Sequence, residues 1–165
     1  MGMNQHLIAE LKNEAASTRK MLERVPLDKA DWKPHDKSMT LGRLATHVAE
    51  LPTWVGITIN TDELDLGKNT NTPTKVTTNE ELVALHDKNV NDAVAALESA
   101  SDEHMKKSWK LLHNGHTIFE MPKAAVVRSF SLSHLYHHRG QLSVYLRLND
   151  VPVPGMYGPS ADDKN

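Results

Sequence analysis

The 165-residue chain contains no cysteine. That absence excludes a disulfide framework, a thiolate-bound zinc and a protein thiol as nucleophile, and it leaves any metal to nitrogen and oxygen ligands. A basic surplus is missing too: 19 Lys and Arg stand against 21 Asp and Glu, a net charge of −2, with the signs interspersed. Binding to a phosphate backbone is therefore not expected, and nucleic acid is set aside as a partner. No apolar run approaches the roughly 18 residues of a membrane span and no signal peptide opens the chain. The membrane is set aside as well, and a cytoplasmic location is expected. What the chain has in excess is histidine, ten residues in an otherwise ordinary globular composition.

Periodicity predicts four long helices in one domain over residues 1–165. Between Asn4 and Val25 the apolar positions Leu7, Ile8, Leu11, Ala15, Thr18, Leu22 and Val25 settle into alternating steps of 3 and 4, the stripe of a core-packing helix that Pro26 ends. A loop from Leu27 to Met39 follows, anchored by Trp32. Thr40 is placed to cap a second helix carrying Leu41, Leu44, His47, Val48, Leu51 and Trp54, with Pro52 expected to kink it or open its ladder. Residues 61–78 are polar and read as a long surface loop, long enough for a crossover connection. Thr78-Asn79-Glu80-Glu81 matches a capping box and opens a third helix through Leu97. In the strand-like run from Trp109 to Phe119, Asn114-Gly115 signals a two-stranded hairpin. Pro122 suits the first position of a fourth helix running to Leu148. An extended, Pro-rich tail follows, with a frayed end expected after Asp162. The expected class is all-α, a four-helix bundle with a small β-hairpin inserted before the last helix.

The fourth helix carries the chemistry. Val127, Phe130, His134, His138, Gln141, Tyr145 and Leu148 follow in steps of 3, 4, 4, 3, 4 and 3, which predicts a core-facing stripe in which two imidazoles replace aliphatic residues. Burying two unpaired rings costs roughly 1–3 kcal/mol each, so something must satisfy them. They can bond to each other, to backbone or to water. A metal ion does it directly, because His134 and His138 at i, i+4 can chelate one ion from a single helix face. His47 lies on the Leu44–Leu51–Trp54 line and is the best third ligand. Three histidines leave positions open, the pattern of a catalytic metal site. Glu50, one turn from His47, and His137 are candidates for a supporting group or a general base. Arg139 with Gln141 could hold a cofactor's carboxylate, with a salt bridge as the ordinary role of the arginine. His35 and His86 could approach the site. Trp54, Trp109 and Tyr145 read as core.

The run His134-x-x-His137-His138-Arg139-Gly140-Gln141-Leu142, then Tyr145-Leu146-Arg147 and the tail Val153-Pro154…Tyr157-Gly158-Pro159-Ser160, resembles the damage-inducible DinB-like (YfiT-like) proteins. Pro34…Lys37-Ser38-Met39…Leu44-x-x-His47 is similar to that family's second-helix segment. The resemblance implies a four-helix bundle of rearranged connectivity, commonly a homodimer. It also implies a divalent ion, zinc or nickel, on three histidines that map onto His47, His134 and His138. Among such proteins are thiol S-transferases using bacillithiol or mycothiol and a mycothiol-dependent maleylpyruvate isomerase.

Three functions compete. One is a metal-dependent S-transferase that joins a low-molecular-weight thiol to a small electrophile, consistent with a chain that has no thiol of its own. The second is a metal-dependent hydrolase with Glu50 or His137 as base. The third is a non-catalytic, stress-related bundle that binds a metal or a ligand.

Overall fold

The computed structural model describes residues 2–68 and 72–163. Its first helix, α1 (Met3–Leu22), turns Leu7, Leu11, Ala15, Thr18 and Leu22 inward, as the spacing predicts. It ends short of Val25, because the Arg24 and Val25 amides donate to the Met21 and Leu22 carbonyls in a tightened last turn before Pro26. After a 3₁₀ turn at Leu27–Lys29, Trp32 meets Tyr145 edge-on, with ring centroids 5.5 Å apart, and anchors its loop.

Pro52 does more than kink the second helix. It divides it into α2 (Leu41–Glu50), capped by Thr40, and α3 (Thr53–Asn60). Proline cannot donate to the carbonyl four residues back, and its ring crowds that turn. The carbonyls freed at the break are taken up by side chains. Asn89 Nδ2 donates to Ala49 at 2.9 Å, Ser131 Oγ to Leu51 at 3.3 Å and Thr53 Oγ1 to Glu50 at 2.7 Å. Two of these donors come from distant elements, so tertiary contacts hold the break open.

The long helix α4 (Asn79–Ser99) starts at Thr78, whose hydroxyl accepts the Glu81 amide at 3.2 Å. The reciprocal half of the expected capping box is displaced by one residue, since the Glu81 carboxylate takes the amide and hydroxyl of Thr77. A short helix, α5 (Asp102–Lys106), follows on a Ser101 cap.

The hairpin forms as predicted from β2 (Ser108–His113) and β3 (His116–Pro122). Asn114 and Gly115 carry φ of 51° and 82°, the pair of left-handed residues that a tight hairpin turn demands. A third strand was not expected. β1 (Glu63–Asp65), within the supposed loop, pairs parallel with β2, giving the order β1-β2-β3. Three residues are too few for a periodic signal. What holds them is Asp65, whose carboxylate accepts the amides of Gly67, Asn114 and Gly115. Residues 69–71 of that loop lie outside the described residues. The chain is therefore mostly helical with a small mixed sheet.

Pro122 is the last residue of β3 rather than the first of a helix, because its ψ of 143° is extended and it pairs with Ser108. The final helical arm comprises α6 (Lys123–Val126), a π-helical segment Val127–Ser133 and α7 (His134–Leu148). The Lys123 side chain is fully buried. Its ammonium donates to the Thr58 and Thr61 carbonyls and pairs with Asp62 at 3.3 Å, a cation set at the C-terminus of α3.

The expected stripe of α7 requires correction. Leu135, Arg139, Leu142 and Leu146, in steps of 4, 3 and 4, face the core, whereas Gln141 and Leu148 are exposed. The histidine line runs along the margin of the buried face. The core tolerates Arg139 because it is paired. Its guanidinium meets the Glu14 carboxylate at 2.6 Å and also donates to the Glu14 carbonyl, Thr18 Oγ1 and the Tyr157 hydroxyl. The tail is ordered by the same network and by Asp162, which pairs with Arg147 and accepts the Val153 amide. Lys164 and Asn165, where fraying was expected, lie outside the described residues.

Candidate metal centre

α2 and α7 pack side by side, and one helix face of each meets at the histidines. His138 Nε2 stands 2.9 Å from His134 Nε2, and His47 Nε2 stands 3.4 Å from the latter. One ligand atom from each of the three lies within 4.8 Å of the others, and among the described residues this is the one His/Asp/Glu group able to hold an ion. Ring nitrogens sharing an ion at about 2.0–2.1 Å and subtending 90–110° stand about 2.9–3.4 Å apart. The two distances fall in that range.

The far sides of the rings decide their protonation. Gln141, placed with its carbonyl toward His138, stands 2.7 Å from Nδ1 and accepts that hydrogen. At His134 the Phe130 backbone carbonyl favours the charged ring, against the burial that lowers its pKa. That carbonyl belongs to the π-helical segment directly ahead of α7, the kind of local widening often found at functional sites. With hydrogen on Nδ1, neutral His138 turns a bare Nε2 toward His134 Nε2. That lone pair is satisfied by a hydrogen on the facing nitrogen or by a cation between the rings. The donor set fits a divalent ion, with an oriented outer acceptor behind His138.

The histidines are held neutral. Burial is the largest cause at each. It combines with His138, His134 and Arg43 to push His47 down to about 4, and with His138 and His137 to lower His134. At His138 burial also dominates, opposed by the bond to Gln141. Neutral imidazole is the form that binds a metal.

The other candidates are distributed differently. Gln141 reaches the site as a partner of His138 and is itself exposed. Arg139 points into the core and is committed to Glu14, so it is not available to a ligand. His137 is exposed, edge-on to His138 at 4.8 Å between centroids, and outside the triad. His35 is exposed and accepts the Lys37 amide. His86 is buried against Asp87, with its Nε2 unpartnered, and does not join the cluster.

Glu50 sits beside His47 in a cleft of about 430 Å³. Its Oε1 accepts the Thr74 amide at 2.8 Å, and Arg43 approaches Oε2 at 3.5 Å. Trp54, expected in the core, is half-buried and lines this cleft while also packing against Phe130 and Trp109. Arg43 was not singled out from the sequence. The signal was present: Arg43, His47, Glu50 and Trp54 follow in steps of 4, 3 and 4, one face of a helical run.

Known proteins resemble the chain in sequence and in fold. The chain is 28% identical over 167 residues to "Uncharacterized protein YrdA" of Bacillus subtilis (strain 168), covering 96% of this chain and 90% of that protein. Two crystal structures share its fold. A DinB-like protein (YjoA) from Bacillus subtilis superposes with a TM-score of 0.70 at 17% identity, covering 97% of this chain and 99% of the other. A DinB-like protein from Bacillus cereus ATCC 10987 also gives 0.70, at 22% identity, covering 93% and 97%. The DinB family matches over residues 1–165, and the chain belongs to that family.

Proposed function

We propose that this protein is a divalent-metal S-transferase in which His47, His134 and His138 hold zinc or nickel and a small thiol is joined to an electrophile. The observation that carries the reading is the convergence of three histidine Nε2 atoms, two of them 2.9 Å apart and one backed by Gln141. A divalent ion bound there would supply positive charge that lowers the pKa of a thiol. The chain has no cysteine, so the sulfur arrives with a co-substrate. The S–C bond forms as a carbon–halide or epoxide C–O bond breaks, and the thiol proton leaves to water or to the opened oxygen. Gln141 keeps the His138 imidazole in the ligand tautomer, and the cleft beside His47 receives the electrophile.

Hydrolysis is less favoured, because the candidate base beside His47, Glu50, already accepts the Thr74 amide and faces Arg43. Cytoplasmic residence belongs to the same proposal, since low-molecular-weight thiols are kept reduced there. Among the described residues no helix is long and apolar enough to cross a membrane. A homodimer in solution is likewise proposed, to be read by light scattering.

The test is elemental analysis of untagged protein purified without chelator, beside a His47→Ala/His138→Ala variant. Thiol consumption is then followed across a panel of epoxides and alkyl halides. About one equivalent of zinc or nickel, lost in the variant together with thiol-dependent turnover, supports the transferase. Metal without any turnover supports a binding bundle. Thiol-independent ester or amide cleavage supports the hydrolase. No metal, and none taken up on addition, rejects all three metal readings.

A further inference from the structure

The cleft on the α2–α3 side has two kinds of wall. Trp54, Ile57, Leu64 and Leu85 make one side apolar, while among the described residues Arg43 and Glu50 are the only acidic or basic ones besides His47 lining it. The Arg43 side chain is 38% exposed, and among the described residues its one ion-pair partner is Glu50, through a single nitrogen at 3.5 Å. A guanidinium has five N–H donors in a planar fork suited to a carboxylate. Most of that fork is therefore free. The Glu50 carboxylate is anchored independently by the Thr74 amide at 2.8 Å, so it keeps a partner if Arg43 turns to another anion. Arg43 lies one helical turn before His47, and its charge is felt at both His47 and His138. An anion on this guanidinium would be held next to the triad. At about 430 Å³ the space is near the small end of ligand pockets, too small for a macromolecular segment.

We infer that the cleft takes a small substrate bearing a carboxylate on an apolar body, with Arg43 binding the carboxylate and Trp54, Ile57 and Leu64 packing the body. This assignment rests on the triad being the reaction centre and names the class of electrophile that the centre would meet. Binding exchanges the long Arg43–Glu50 contact for a charge-assisted fork, the strong form of hydrogen bond. The apolar wall selects for the remainder of the molecule.

The experiment uses the isotopically labelled full chain and follows the Trp54 indole signal. Three probes are titrated, 3-phenylpropanoate, 3-phenylpropanamide and 3-phenylpropylamine, each with and without one equivalent of zinc. The acid is expected to bind at least about tenfold tighter than the amide in both metal states, the factor that one hydrogen bond to a charged group supplies. Arg43→Met should abolish that preference, Arg43→Lys should retain part of it, and Glu50→Gln should strengthen binding of the acid. Spectral dispersion reports whether each variant is folded, and if Arg43→Met is not, the Lys and Gln variants decide. Equal affinity for acid and amide, a preference that survives Arg43→Met, or no response of Trp54 to any probe overturns the assignment. A preference seen only with zinc and kept in Arg43→Met would put the carboxylate on the ion, defeating this inference while leaving the metal reading standing. The reverse outcome, no zinc binding but an Arg43-dependent preference for the acid, would defeat the metal reading and leave the cleft.

Discussion

Replacing Gln141 with Leu tests whether the bond behind His138 matters to the metal. Gln141 is exposed and contributes its Oε1 to His138 Nδ1 at 2.7 Å. Removing the acceptor frees the ring to rotate and lets the hydrogen move to Nε2, the atom that would face an ion held by the triad. Outer partners of this kind are typically worth 10–100-fold in metal affinity, about 1.4–2.7 kcal/mol. The lower half of that range is expected here, because an exposed site lets water replace part of the lost bond. Gln141→Glu should act in the opposite direction, since a carboxylate makes the imidazole a more basic ligand. The assay is competition for zinc against a chromophoric chelator at pH 7.5, with the Tm of metal-free protein measured in parallel. The metal-free Tm should change by no more than about a few degrees in either variant, because only the part-buried bond to His138 is altered. Unchanged zinc affinity in Gln141→Leu, or a large drop in the metal-free Tm, would refute the reasoning.

Three further outcomes are expected. Arg139→Met should destabilise the protein by about 3–5 kcal/mol in urea unfolding, the cost of leaving the Glu14 carboxylate buried without its partner. Adding Glu14→Gln should recover a large part of that loss, and an additive double variant would show that the pair is not coupled. Metal-free protein should lose stability as pH falls from about 6.5 toward 4. The fold depresses the pKa of His47 (to about 4), His86, His134 and His138, so the unfolded chain binds protons first across that window. A urea midpoint that is flat between pH 7 and pH 5 would contradict this. Gly115→Ala should cost about 1 kcal/mol, because its φ of 82° is strained for a side chain although the space around it is open. An unchanged Tm would mean that the turn relaxes freely.

Local rules made part of this protein legible. Thr40 and Thr78 cap helices because a hydroxyl ahead of an apolar stripe can take an orphan amide, and both do so. Asn114-Gly115 turns the hairpin because both residues tolerate positive φ. His134 and His138 share a face because four residues make one helical turn. Periodicity placed only part of the buried face of the last helical arm. Val127, His138 and Tyr145 on the histidine line are buried, but so is the adjacent Leu135–Arg139–Leu142–Leu146 line. Only the carboxylate of Glu14, 125 residues away in sequence, makes that arginine a core residue.

By itself the sequence determined which residues could bind a metal and from which side of a helix, because side-chain direction along a helix follows from a period of 3.6 residues. It determined the turn, the caps and the break at Pro52 for the same reason, since each is set by the chemistry of a few neighbouring residues. Tertiary structure alone decided that His47 meets the pair from α7, that Arg43, Glu50 and Trp54 line one cleft, that β1 pairs with the hairpin and that Arg139 is buried. Each of these joins groups from separate elements, and their energies depend on distances and burial that no local pattern encodes.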